Sequence, residues 1–204
     1  MPTLFSWFFL SVIFLIPSYM FAEQNLRIFV GADTAATDSI FDSKFYQDKK
    51  RYGYEGYIGT KIGIEYFFTK KNGIRAFAGL GYANIKLLNE KNGFDLFSGV
   101  GTRVEVDYLF NYYSDEKFDF GFFVGMNYFN AFYKRKYEII LTNQVLAILG
   151  LNMTIKSYHR IEFGIGVPFF FKGRYDSQEY NNVPVNRKLN NLYYGISYVY
   201  LFDL

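Results

Sequence analysis

The segment Asn191 to Leu204 reads Asn-Leu-Tyr-Tyr-Gly-Ile-Ser-Tyr-Val-Tyr-Leu-Phe-Asp-Leu, and its alternate positions belong to different chemistries. Leu192, Tyr194, Ile196, Tyr198, Tyr200, Phe202 and Leu204 are apolar or aromatic, while Gly195, Ser197 and Asp203 fall on the other parity. A period of two sends successive side chains to opposite faces of an extended chain, so this is a strand with two unlike faces. Seven earlier segments read the same way: 26–33, 57–68, 74–87, 96–112, 118–133, 144–158 and 160–172. The connections alternate in length. Those at 69–73, at 113–117 and at His159 are short, whereas 34–56 and 173–190 are long, with smaller loops at 88–95 and 134–143. Asn72-Gly73 is a hairpin signal. Short turns at one end and long loops at the other outline an antiparallel up-and-down barrel, in which the last strand closes against the first.

The faces decide where such a barrel sits. One parity carries bulky apolar side chains, for example Ile62, Ile64, Tyr66 and Phe68, then Val104, Val106, Tyr108 and Phe110. The other carries most of the strand glycines together with Lys61, Glu65, Arg75, Arg103, Glu105, Asp107, Asp119, Lys156 and Glu162. An eight-stranded barrel has an interior only just wide enough for side chains to fill it. The aromatic face is too voluminous for that interior, whereas glycine leaves room for long ionic groups. The barrel is therefore read inside out, with lipid against the aromatics and a balanced ion-pair network in the lumen. Tyr66, Phe68, Tyr108, Phe110, Phe118, Phe120, Phe169, Phe171, Tyr198, Tyr200 and Phe202 are expected to form lipid-facing girdles, with aliphatic residues between them.

Composition agrees with a chain of single-domain size. Half of the 204 residues are hydrophobic, with 20 Tyr and 25 Phe, yet polar residues are threaded between the apolar ones. Beyond the N-terminus no apolar run reaches the roughly 18 residues of a spanning helix, which excludes a helical membrane bundle. The net charge of +3 is dispersed, so no basic face for nucleic acid is formed. The chain has no cysteine, hence no thiol nucleophile and no disulfide framework. Residues 1–22 hold no charge, an apolar run from Trp7 to Ile16, a break at Pro17 and a small Ala22 before Glu23. They read as a secretory signal peptide, with an uncleaved anchor as the alternative, leaving 23–204 as one barrel domain.

On these features, and on the closing Tyr198, Tyr200 and Phe202, the chain resembles the small eight-stranded outer-membrane β-barrels of Gram-negative bacteria. That superfamily includes the OmpA transmembrane domain and the OmpX-like, OmpW-like and opacity proteins. Its Tyr-Val-Tyr close is also similar to that of the outer-membrane protein families of Helicobacter. The resemblance covers residues 26–204 and implies an all-β, eight-stranded antiparallel transmembrane barrel with short periplasmic turns and longer extracellular loops. It implies export to the bacterial outer membrane and, as partners, outer-membrane lipid, lipopolysaccharide and the barrel-assembly machinery. The chain departs from the pattern by ending in Asp203-Leu204 and not in an aromatic residue.

Chemistry is sparse. The single His159 lies at a turn beside Ser157, Tyr158 and Arg160, which do not make a nucleophile and base pair. The acidic residues come singly, and one histidine cannot supply a His-rich metal site. No enzymatic activity and no cofactor are expected. The expected function is structural, with surface adhesion to a host or matrix ligand through the Tyr-rich loops 34–56 and 173–190. The alternative is a narrow pore or a conduit for small apolar ligands.

Overall fold

A computed structural model describes residues 26–42, 50–88, 93–115, 117–178, 183–187 and 192–203. The expected signal peptide, 1–22, lies outside the described residues, as do the centres of the two longest predicted loops. Among the described residues nine strands occur: β1 (Leu26–Asp42), β2 (Lys50–Phe67), β3 (Asn72–Leu88), β4 (Phe94–Ser114), β5 (Phe118–Arg135), β6 (Glu138–Ile155), β7 (His159–Asp176), β8 (Val183–Arg187) and β9 (Tyr193–Asp203). Each pairs antiparallel with its neighbours, and β9 closes the ring on β1 from Arg27 opposite Asp203 to Thr37 opposite Tyr193. The ring has eight staves. The eighth is shared, because β9 pairs with β7 over His159–Gly166 while the short β8 bridges β7 and β1 further up.

The strands are longer than the sequence pattern implies. Much of the predicted loop 34–56 is strand, with Leu26–Asp42 pairing residue by residue with Lys50–Tyr66. The expected loop 134–143 is a tight turn at Lys136-Tyr137, where Lys136 takes φ 50°. The corner expected at His159 is the turn Lys156–Tyr158, with positive φ at Lys156 and Ser157. At about 3.3 Å per residue and a tilt near 40°, a strand of 17 residues rises roughly 43 Å, well over the ~25 Å apolar belt of an outer-membrane barrel.

Polarity inverts along that height while the pleat keeps its phase. In the lower part of β5, Phe122, Val124, Met126 and Tyr128 are exposed on the outside and Asn127 is buried inside. Higher on the same strand Phe129, Ala131 and Tyr133 are buried inside, while Lys134 is exposed outside. β3 does the same. Leu80 and Tyr82 face out below, then Ala83, Ile85 and Leu87 pack inward above, with Lys86 exposed outside. The upper lumen is thus an apolar core, joining Ile85, Phe97, Tyr133, Ile140, Tyr175 and Val185 among others. Two smaller apolar clusters, Phe29-Phe77-Val199-Leu201 and Phe67-Leu109-Phe123, lie lower in the lumen, interleaved with charged side chains.

Candidate functional site

The middle of the lumen holds one continuous chain of ion pairs. Arg27 Nη2 meets Glu65 Oε1 at 2.7 Å, and Glu65 is also held by both terminal nitrogens of Arg160. Arg160 lies 3.9 Å from Glu162, whose carboxylate takes Lys61 Nζ at 2.7 Å and the Arg75 guanidinium. Arg75 Nε donates to Asp107 Oδ2 at 2.6 Å and approaches Glu105 at 3.8 Å. Arg103 binds Glu105 Oε2 at 2.5 Å and pairs with Asp33. The cations Arg27, Lys61, Arg75, Arg103 and Arg160 number five, and so do the anions Asp33, Glu65, Glu105, Asp107 and Glu162. Neutral groups finish the set: Ser197 Oγ donates to Glu162 at 2.9 Å, Asn127 Nδ2 donates to Glu105 at 2.8 Å, and Arg160 Nε donates to Thr154 Oγ1 at 3.0 Å.

Register and glycine make this possible. Lys61 stands opposite Gly79, and Gly79 opposite Arg103, so two long cations flank an empty position. A Cβ at Gly79 would sit 2.8 Å from Arg103 Cγ, and one at Gly125 would strike the Asp107 carboxylate. Below and beside the charges, rings accept the cations. Arg75 lies 4.4 Å from the Phe123 centroid, Lys61 4.7 Å and Arg103 4.9 Å from Phe77. Buried charges persist only when paired, and every cation and carboxylate of the network has an opposite partner, although Asp33 Oδ1, Arg75 Nη2, Arg103 Nε and Asp107 Oδ1 lack a hydrogen bond among the described residues.

Of the sequence-predicted lumen set, Lys61, Glu65, Arg75, Arg103, Glu105, Asp107 and Glu162 are brought together. Asp119 and Lys156 are not. Asp119 sits at the turn end, bonded by the Ser114 hydroxyl at 2.5 Å, and Lys156 is exposed in the β6–β7 turn. Both carry the inward parity, but the strands end there, so their side chains meet water. Arg27, Asp33 and Arg160 belong to the network though the charge pattern passed over them; each continues the inward parity of its own strand, through Gly31 in β1 and Glu162 in β7.

The belt contains one reversal. Tyr66, Phe68, Tyr108, Phe110, Phe118, Phe120, Phe169, Tyr198, Tyr200 and Phe202 lie on the outer face or its lower rim. Phe171 does not. Opposite Val145 and Leu146 the chain places Phe170 and Pro168, leaving Phe169 as an extra residue, and this bulge shifts the pleat. Phe169 and Phe170 both point outward, and Phe171 turns in against the upper core. His159 is exposed on the outer face with Nδ1 2.7 Å from the Tyr198 hydroxyl.

Above the ion pairs, Glu55 accepts from the Tyr133 hydroxyl and from Tyr193 OH at 2.7 Å, and Gln144 Nε2 donates to Tyr193 at 2.5 Å. Between these two layers lies a cavity of about 80 Å³, bounded by Asp33, Tyr57, Lys61, Arg103, Phe129 and Gly164 among others.

The fold is that of known outer-membrane barrels. OprG of Pseudomonas aeruginosa superposes with a TM-score of 0.56 at 12% identity, covering 89% of this chain and 98% of that one. Neisserial surface protein A gives 0.39 at 9% identity, with 87% and 97% covered. Ail of Yersinia pestis gives 0.38 at 11% identity, with 86% and 99% covered. No curated protein sequence matches the chain significantly. The sequence profile described as Helicobacter outer membrane protein matches residues 59–202, more than half of the chain. With its inside-out belt and closed eight-stave ring, the chain belongs to the Helicobacter outer membrane protein family, whose place is the bacterial outer membrane.

Proposed function

We propose that this protein is a sealed, non-catalytic barrel that acts structurally and carries a recognition surface above the membrane. The observation that supports it is the lumen, in which ion pairs joining opposite walls lie beneath an apolar core. An eight-stranded barrel so filled has no water column for a solute, whereas channels need about 16 strands. The outer wall beyond the belt supports the surface role. Tyr54, Lys86 and Leu96 stand in one row across β2, β3 and β4, Tyr52 and Phe94 are exposed beside them, and Lys86 Nζ lies 4.1 Å from the Phe94 ring. Exposed aromatics among small polar groups make a binding surface of low entropic cost. Lys86 and Lys134, just past Tyr82 and Tyr128, stand where phosphates of the outer leaflet would meet them.

Planar-bilayer recording tests the seal. Purified wild type is expected to give no steady conductance, and a channel altered by Glu105→Gln would refute the plug. For the surface role, Tyr52→Ser with Tyr54→Ser and Phe94→Ser is expected to lower attachment of whole cells to matrix proteins several-fold at unchanged surface level. Unchanged attachment removes adhesion.

A further inference from the structure

The cavity between the ionic layer and the apolar core is not a packing remainder. Most lumen glycines are backed by a neighbour that fills the place of the missing side chain, as Arg103 does at Gly79. Gly164 and Gly195, directly opposite each other on β7 and β9, are different. A Cβ at Gly164 would find nothing nearer than 3.6 Å, and one at Gly195 would meet Thr34 O at 3.2 Å and then only Ala35 Cβ at 3.9 Å. Their shared space opens into the cavity.

Three polar atoms on that cavity have no hydrogen-bond partner among the described residues: Asp33 Oδ1, Arg103 Nε and Tyr57 Oη. Asp33 is 3% exposed and Tyr57 7%, so bulk water does not satisfy them. Leaving such a group unpaired costs about 1–3 kcal/mol. Asp33 offers an acceptor and Arg103 a donor, and their ion pair through Asp33 Oδ2 ties the two together. A group that both donates and accepts fits this pair. A neutral group suits it, since the ion-paired side chains beside Asp33 and Arg103 already balance, and Glu55 on the same wall is bonded by the hydroxyls of Tyr133 and Tyr193. Phe129, Leu146 and Ile148 form an apolar side of the wall, while Glu55, Lys61, Asn127 and Tyr193 are among its further polar members. The volume equals roughly six waters at about 10–15 Å³ each.

We propose that this cavity binds a small neutral alcohol or phenol. The hydroxyl donates to Asp33 Oδ1 and accepts from Arg103 Nε, and the hydrocarbon body takes the space over Gly164 and Gly195. The site is independent of the surface role, since it lies inside the wall.

Cyclohexanol, methylcyclohexane and cyclohexylammonium, titrated into the full barrel refolded in micelles at fixed detergent concentration, separate the possibilities through the backbone amide resonances of Gly164 and Gly195. Cyclohexanol is expected to shift both saturably, with methylcyclohexane and cyclohexylammonium at least tenfold weaker. Gly164→Val, which fills the space, is expected to abolish the Gly195 shift. Equal shifts from cyclohexanol and methylcyclohexane mean partitioning into the micelle and overturn the proposal. So does an unchanged response in Gly164→Val, or the absence of any saturable shift in wild type, which leaves the cavity to water.

Discussion

The lower and upper halves of this barrel solve the same problem in opposite ways, with the same strands. Below, the outside is apolar, with Leu80, Val124 and Leu149 exposed, and the inside is ionic. Above, Ile85, Phe97 and Tyr133 are inside, and Lys86 and Lys134 are outside. The solvent on the outer wall accounts for the difference. Where lipid covers the wall, apolar side chains are spent on the exterior and the lumen must hold polar groups that satisfy one another. Where water covers it, the strands pack a core as a soluble barrel does. The level of Tyr82 and Tyr128 marks the change.

The contrast can be broken most severely from within the ionic half. Arg75→Ala leaves Asp107 and a share of Glu162 and Glu105 uncompensated, and is expected to lower stability by about 3–5 kcal/mol, read from urea unfolding in vesicles. A loss below 1 kcal/mol would mean that water reaches the network. The boundary itself is tested on the outer wall. Leu149→Arg, in the belt, is expected to cost about 2–4 kcal/mol, and Asn84→Arg, beyond Tyr82, about 0–1 kcal/mol. Equal costs would place the boundary elsewhere. In the upper half, Tyr133→Phe removes the hydroxyl that Glu55 accepts and is expected to cost about 1.5–3 kcal/mol in the same assay.

This inversion also explains what could be read from the chain. Strand parity, hairpin positions and the closure of the final strand on the first were legible wherever one face was bulky and the other small or charged. In 34–56 neither face is uniformly bulky, with Thr34, Ala36 and Asp38 outside and Ala35 and Thr37 inside. Tyr52 and Tyr54 are outside, Glu55 inside is bonded by tyrosines, and the segment resembles a loop although it is paired strand. Within the network, seven residues followed from charge on the inward parity. Arg27, Asp33 and Arg160 would have followed from carrying that parity to the strand ends, and Asp119 and Lys156 from stopping it there. The reversal at Phe171 depends on a bulge, and the signal for it was Pro168, a residue that cannot donate to a ladder.

The ion pairs that span the lumen have a kinetic consequence. Every wall contact from β1 to β7 is a hairpin between neighbours in sequence, and each can form early. Arg160 with Glu65, Lys61 with Glu162 and Arg75 with Glu162 instead join β7 to β2 and β3, across 95, 101 and 87 residues. They can form only as β1 and β9 approach, so a barrel open at that seam forgoes these three pairs and keeps only those between neighbouring strands, such as Arg75 with Asp107. Closure thus dehydrates and neutralises the lumen together. The seam and the lock are one event, and the unfolding rate should be set by reopening both.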